Sequence, residues 1–467
     1  MHRAVLTAVL AAGLMAPALP ATPQAPATAD AGEEVVLSLP EMRVAAARAV
    51  RAGAFELALG IARAMLVADP EDSYSHFIIA QVFLRNGQPE EARPAARMSY
   101  KLAKTPVQKH EAARIAALTA ARQDRFFPAQ IWMRRALHTA PNPAMKARAA
   151  HEFRAVRWAA RLRLNVGLSV TPSSNVNGGS SEEINTVDGF PIVGVLSPDA
   201  QALSGTVARG DLRLRYRLHR SETSQTNLRT SLQVKRVKLS DDARKKAPNA
   251  KGSNYDTTLM EIGLSHTQKL TDSGTYLSGG LFLGRAWFGG DVGYDYGRAE
   301  TTLTHRSSDA TALSFGHVRQ QQWNDSGPYS DIRTTGWRAA LAQRLGNKDR
   351  LTLSLATTKS VSDNTQQTSD TQTIRLDYDM ARALGPVRLS GGVVASKQHY
   401  PDYRVIFPVP GGREDVTLGA KLDMTFHTLD YAGFVPTVTL SAERGDSNVS
   451  RFDTDEFSIS VGFQSAF

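Results

Sequence analysis

The sequence predicts an α + membrane β chain: tetratricopeptide-like α-helical repeats followed by a transmembrane antiparallel β-barrel of about 14 strands. Three observations lead there. Residues 35–158 are rich in Ala and Arg and keep a helical apolar period with a 34-residue repeat between Gly53 and Gly87 and between Ala58 and Ala92. From about residue 160 the apolar period falls to two, and strand-like segments follow one another with no helix between them. The last segment, Phe457, Ile459, Val461, Phe463 and Phe467, alternates to a terminal aromatic residue.

The N-terminus predicts a cleaved leader. His2 and Arg3 precede the apolar stretch Ala4 to Ala16, and small residues and prolines follow, so residues 1–21 read as a signal peptide and 22–34 as a Pro/Ala-rich linker. The apolar run is too short to span about 30 Å of hydrocarbon, and no other segment is apolar enough for a membrane helix. A membrane protein with this sequence must therefore cross as a closed barrel, in which strands satisfy one another's backbone groups. The chain has 467 residues, no cysteine and a formal net charge of +10. Lack of cysteine excludes disulfides, thiolate metal sites and a lipidated N-terminal Cys. The cations are interleaved with Asp and Glu, which predicts no nucleic-acid partner.

In the helical segment, 35–158, the repeat units read GAFELALGIARAMLVADP, GQPEEARPAARMSYKLAK and DRFFPAQIWMRRALHTAP. Phe55 and Phe126 are each followed three residues later by Ala58 and Ala129, while Pro70 and Pro141 end the first and third units. Small residues allow close helix contact, Gly ends one helix and Pro stops the next. The third unit departs from the pattern, with Asp124 where the others have Gly. One more helix is expected from Ala144 to Leu162. Stacked pairs of this kind present a concave face to a protein partner.

The barrel is expected over 160–467, with strands starting near Arg161, Ser204, Gln225, Asn254, Gly274, Gly293, Ala310, Asp331, Asp349, Asp370, Pro386, Arg413, Val435 and Asp455. Leu212, Leu214, Tyr216 and Leu218 alternate with Arg213, Arg215 and Arg217, an apolar face backed by a charged one as a wet lumen requires. A long connection at 172–203 and others at 238–253 and 401–411 alternate with tight turns near Thr271, Ser307, Gly346 and Leu384. The connection near Tyr431 is longer than the tight turns beside it. An even number of strands returns both barrel ends to the side of the helical domain, which is expected in the periplasm with the barrel in the outer membrane. Trp287, Phe288, Tyr294 and Tyr296 fit either an interfacial girdle or the lumen. Their alternation leaves both open.

No enzyme is predicted, and no catalytic, cofactor-binding or metal residue is assigned. His110-Glu111 lacks the second His of a zincin, and Asp291 and Asp295 lack the ligand run of a calcium loop. His219, His266, His305, His317 and His427 are scattered on or near strands, where structural placement outweighs metal binding.

The layout resembles the surface lipoprotein assembly modulators, the Slam family of type XI secretion. The stretches that carry the likeness are SVTPSSNVN with Asn175 and Asn177, GRAWFGGDVGYDYG, PGGREDVTLGAKL, and the last 35 or so residues with DSNVSRFD between two strands. The resemblance implies a translocator that delivers specific cargo across the outer membrane, either a surface lipoprotein or a secreted haem- or iron-acquisition protein. It implies that the helical domain engages cargo or periplasmic chaperones. The C-terminal strand ending in Phe467 would engage the barrel-assembly machinery, and the barrel's belt would meet outer-membrane lipid. A second architecture of helical repeats plus barrel, an exopolysaccharide export porin, stands as the alternative. Its longer repeat arrays and acidic or aromatic conduits fit this basic chain less well.

Overall fold

A computed structural model describes residues 37–188, 190–324, 330–429 and 434–465. The expected leader, 1–21, and linker, 22–34, lie outside them, as do Phe467 and the connection at Tyr431. Among the described residues seven helices come first: α1 Leu39–Ala52, α2 Phe55–Ala68, α3 Ser73–Arg85, α4 Pro89–Leu102, α5 Pro106–Arg122, α6 Phe126–His138 and α7 Pro143–Ala159. The repeat units fall on α2, α4 and α6, the second helix of three successive pairs, and α7 closes the stack. No helix among the described residues is long and apolar enough to cross a membrane.

The 34-residue spacing is a spacing of helix ends. Gly53 and Gly87 both take φ +76°, and Asp124 takes φ +56° at the corresponding place. In each case the next residue donates its N–H back across the last turn, Ala54 to Ala49, Gln88 to Phe83 and Arg125 to Ala120, at 2.8–2.9 Å. This left-handed cap is open to glycine without steric cost and to aspartate at a small one. The irregular third repeat therefore keeps the geometry it lacks in sequence. Ala58, Ala62, Ala92, Ala129 and Ala136 are fully buried where helices meet, so the backbones approach closely and larger residues such as Met65, Met133 and Phe153 fill the remaining gaps.

After α7 the chain enters the barrel within three residues. Its wall is built from β1 Leu162–Ser173, then, after a hairpin of β2 Ile184–Val187 and β3 Phe190–Val195, β4 Gly205–Arg220 and β5 Ser224–Leu239. A short helix, α8 Asp241–Lys246, precedes β6 Thr257–Lys269, β7 Thr275–Phe288, β8 Asp291–Arg306 and β9 Thr311–Trp323. The remaining strands are β10 Ile332–Arg344, β11 Arg350–Ser362, β12 Ser369–Asp379, β13 Val387–Tyr400, β14 Arg413–Phe426, β15 Phe434–Ser447 and β16 Thr454–Ser465. Every strand except β2 and β3 joins one closed antiparallel barrel, completed by β1 pairing with β16. That is the 14-stranded barrel the alternation predicts, with each start within three residues of its expected place.

Register separates two faces. Leu164, Leu214 and Thr230 share an outward row, as do Val166, Leu212, Leu232 and Met260. On the same face Leu281 is 68% and Leu283 64% exposed. A belt of such residues around a closed barrel is stable only against lipid, the hallmark of an outer-membrane barrel. His266, His305 and His317 also point outward. The first two lie across from Thr226 and Thr275 at 2.9 and 3.0 Å, and His317 packs on Trp337 with ring centroids 4.2 Å apart.

The register also resolves the aromatic cluster. Trp287 faces out beside Thr258, but Tyr294 and Tyr296 face the lumen, where the Tyr296 hydroxyl donates to Glu261 at 2.9 Å and Phe288 packs on Tyr294. The ladder shifts by one residue at Gly293, so Trp287 pairs with Val292 while Tyr294 and Tyr296 stay opposite Ala286 and Gly284. The turn that follows is Gly289-Gly290, both at positive φ, so this connection is tight although it lies at the end of the longer loops.

Candidate transport path

Three features lie along one path: a groove in the helical stack, a charged lumen and a folded cap at the far end. The groove, about 670 Å³, runs between α3, α5 and α7, with Phe77, Leu84, Leu118 and Phe126 giving it apolar walls. Arg114 crosses it. Its guanidinium donates to Glu152 at 2.9 and 2.7 Å and to Glu111 at 2.8 Å, and Arg148 adds a contact to Glu152 at 3.3 Å. Burial alone would raise the Glu152 carboxyl, but the Arg114 hydrogen bonds and charge, with Arg148, hold it below the ordinary carboxylate range. His110, beside Glu111, is buried and its Nδ1 donates to the Ala136 carbonyl at 2.8 Å, a tie between α5 and α6.

The helical domain is fastened to the barrel rim. On one side Arg217 donates to the carbonyls of Trp158 and Ala159 at 3.2 and 2.9 Å, and Arg220 lies over the Trp158 ring at 4.3 Å. A bulge between Arg217 and His219 places both arginines there. On the other side Arg134 of α6 donates to the Ser465 hydroxyl at 3.3 Å and lies over the Phe434 ring at 5.3 Å. The two anchors straddle the join between β1 and β16. Among the described residues that join is the least paired in the barrel: five register positions, against ten or more for every other neighbouring pair, with a gap at Thr171 and Pro172. Proline has no N–H for the ladder, and the buried Thr171 hydroxyl lacks a hydrogen-bond partner among the described residues.

The lumen wall is polarised. Arg163 on β1, Arg209, Arg213, Arg215 and Arg217 on β4, and Arg229 and Lys235 on β5 all face inward, with Asp211 the one inward carboxylate on these strands. Across the lumen, on β12 to β16, most inward cations are matched: Arg375 with Asp377, Lys421 with Asp423 and Arg413 with Asp415, at 2.9–3.1 Å, while Arg388 on β13 has no carboxylate within 4.0 Å among the described residues. Between the walls, Glu261 is held by Arg298 and by Tyr296, while Phe282 is sandwiched by Arg229 and Arg298 at 5.1 and 4.4 Å. Single-strand alternation showed the arginines of β4; it did not show that β1 and β5 add to the same wall.

At the far end the first long connection folds over the mouth. Lys235, a lumen residue, donates to the Val176 carbonyl at 3.0 Å, and Val176 packs with Leu203, Val207 and Leu239. Asn175 bridges both backbone groups of Gly179, and Asn177 ties to Gln201 and Leu203, each at 2.8–2.9 Å. Opposite, Val187 packs with Tyr403, Val409 and Val449, and Thr186 N–H donates to Ser450 at 2.8 Å. Arg413 sits among Tyr400, Tyr403 and Phe452, 3.7–4.7 Å from their ring centres. The stretches SVTPSSNVN, PGGREDV and DSNVSRFD, far apart in the chain, meet in this cap. GRAWFGGDVGYDYG does not join them: Arg285 and Asp295 pair on the outer face at 2.5 Å. The Gly/Ser-rich connection is thus a structured cap carrying the β2–β3 hairpin.

No family model and no curated protein matches the chain. Among solved structures, the helical part is similar to the type III secretion translocator chaperone SycD of Yersinia enterocolitica, at 17% identity over 26% of this chain and 83% of that one, with a TM-score of 0.24. The barrel is similar to the outer-membrane proteins OmpT of Vibrio cholerae and OccAB3 of Acinetobacter baumannii. Both are 9% identical over 65% of this chain, covering 97% and 99% of theirs, with TM-scores of 0.34 and 0.35. Scores of this size carry no functional inference.

Proposed function

We propose that this protein is an outer-membrane translocator that delivers specific proteins to the cell surface, in the manner of the Slam family, with its helical domain in the periplasm. One observation carries the reading: a peptide-sized groove in a helical stack is bolted to one mouth of a lipid-embedded barrel, so α7 runs from groove to rim without a linker. A diffusive porin needs no such domain. Cargo, a surface lipoprotein or a soluble haem- or iron-capturing protein, alone or with a periplasmic chaperone, would be received in the groove and passed to the lumen. The strand ending in Phe467 would serve recognition by the assembly machinery.

The test compares a deletion strain with its parent by mass spectrometry of surface-shaved and supernatant proteins. The expected result is loss of one or two proteins from outside and their accumulation in the periplasm. An unchanged protein inventory with loss of extracellular polysaccharide would replace this reading with export of a polymer.

A further inference from the structure

Beneath the helical domain, the lumen wall carries a row of arginines that the protein itself compensates only in part. Arg163, Arg215 and Arg229 occupy one register line across β1, β4 and β5. Among the described residues Arg163, Arg209 and Arg215 have no carboxylate within 4.0 Å, Arg213 reaches Asp211 only at 3.7 Å, and Arg229 meets Glu300 at 3.4 Å. Arg157 of α7 adds to the crowding: burial, then the charges of Arg163 and Arg134, push its guanidinium down from the usual range. On the opposite wall Arg375, Lys421 and Arg413 are each paired at 2.9–3.1 Å, and the unpaired inward cation of those strands, Arg388, stands alone, whereas here the arginines are neighbours in one row. Uncompensated like charges held together cost stability, and an anionic ligand relieves them.

We propose that this wall is the receiving site for an acidic, extended polypeptide segment. Resting on the translocator reading, the proposal names the chemistry of the cargo segment that first enters the barrel. Charge complementarity is one argument. Spacing is another: Arg213, Arg215 and Arg217 project from alternate positions of β4, with Asp211 before them and Arg209 beyond it, and alternate side chains of any extended chain repeat at roughly 6.8 Å. An acidic strand laid along β4 therefore meets the arginines in step. The adjoining groove, with Phe77, Leu118 and Phe126, accepts apolar peptide side chains.

The test uses the full-length protein in lipid nanodiscs and a fluorescein-labelled decaglutamate, read by anisotropy at low and moderate salt. The wild type is expected to bind decaglutamate and not decalysine, with affinity falling as salt rises. The triple variant R163Q/R213Q/R215Q is expected to lose at least tenfold. The opposite-wall variant R375Q is expected to bind as wild type. Heat-modifiable gel mobility verifies that each barrel is folded. Should the triple variant fail that check, competition by increasing salt and by the shorter triglutamate reads the same site in the wild type. Absence of decaglutamate binding, equal binding by a folded triple variant, or tighter binding of oligogalacturonate than of decaglutamate would each overturn the proposal. Peptide binding does not depend on secretion, so a protein that binds decaglutamate while its deletion leaves the surface inventory unchanged retains this site and loses the translocator reading.

Discussion

Substitution of Glu152 by Gln tests whether the ion pair in the helical groove holds the stack together. Arg114 is 11% and Glu152 19% exposed at the side chain, so the pair is largely withdrawn from solvent. Breaking a buried pair typically costs about 3–5 kcal/mol because one charge is stranded. Here the loss is smaller, since Glu111 stays 2.8 Å from Arg114 and Gln still offers one acceptor; about 2 kcal/mol is expected. A helical stack of roughly 120 residues has an unfolding entropy of about 0.25 kcal/mol per kelvin, which converts that cost into a drop of about 8 °C in Tm. The assay is circular dichroism at 222 nm on full-length protein in detergent, where the helical transition precedes barrel unfolding. Replacing both partners, R114M/E152Q, is expected to recover part of the loss, because the buried guanidinium is gone and Glu111, which loses it as a partner, is a third exposed to water. A shift below 2 °C for E152Q, or a double variant whose loss equals the sum of the singles, would refute the reasoning. The pH dependence has a fixed sign. The Glu152 pKa is lowered on folding, so its contribution is present above the ordinary carboxylate pKa and is lost as pH falls through the lowered value.

Four further outcomes are expected. Asp72 caps α3, accepting from Ser75 N–H at 2.8 Å and pairing with Arg43 at 2.7 Å; Asp72→Ala should cost about 2–3 kcal/mol in the same melt, and an unchanged Tm would exclude the cap as a determinant. Amides of β1 and β16 should exchange hydrogen at least tenfold faster than those of β10 and β11, and a V170C/V461C disulfide, in a chain with no other cysteine, should bring them level; uniform exchange would mean the short join does not open. Shortening the cap by replacing residues 180–200 with two glycines should raise single-channel conductance several-fold, and no rise would show that the connection does not obstruct the lumen. Cap closure should also strengthen as pH falls. Burial raises the Asp453 pKa, and the charges of Asp446, Glu182 and Asp188 add to it, so protonation favours the folded contact and the gain is lost as pH rises through the raised value.

What the chain alone determined is local and periodic. Helix and strand periods differ, 3.6 against 2, so the change near residue 160 marks the passage from stack to barrel, and each strand's own alternation names its lipid face. Turn residues placed the strand starts, and the glycines at 53 and 87 announced the helix ends because few residues accept their backbone. The tertiary structure decided what depends on register and on closure. Whether Tyr296 faces lipid or lumen turns on its register opposite Gly284 and beside Glu261, which the alternation of its own strand does not reveal. The arginine wall exists because β1, β4 and β5 align Arg163, Arg215 and Arg229 in one row, a relation between strands and not within any of them. The cap is the same kind of fact. Asn175 and Asn177 read as polar loop residues until closure of the barrel brings the connection they pin onto Val449 and Ser450, more than 260 residues away, because only a closed wall makes distant loops neighbours across one mouth.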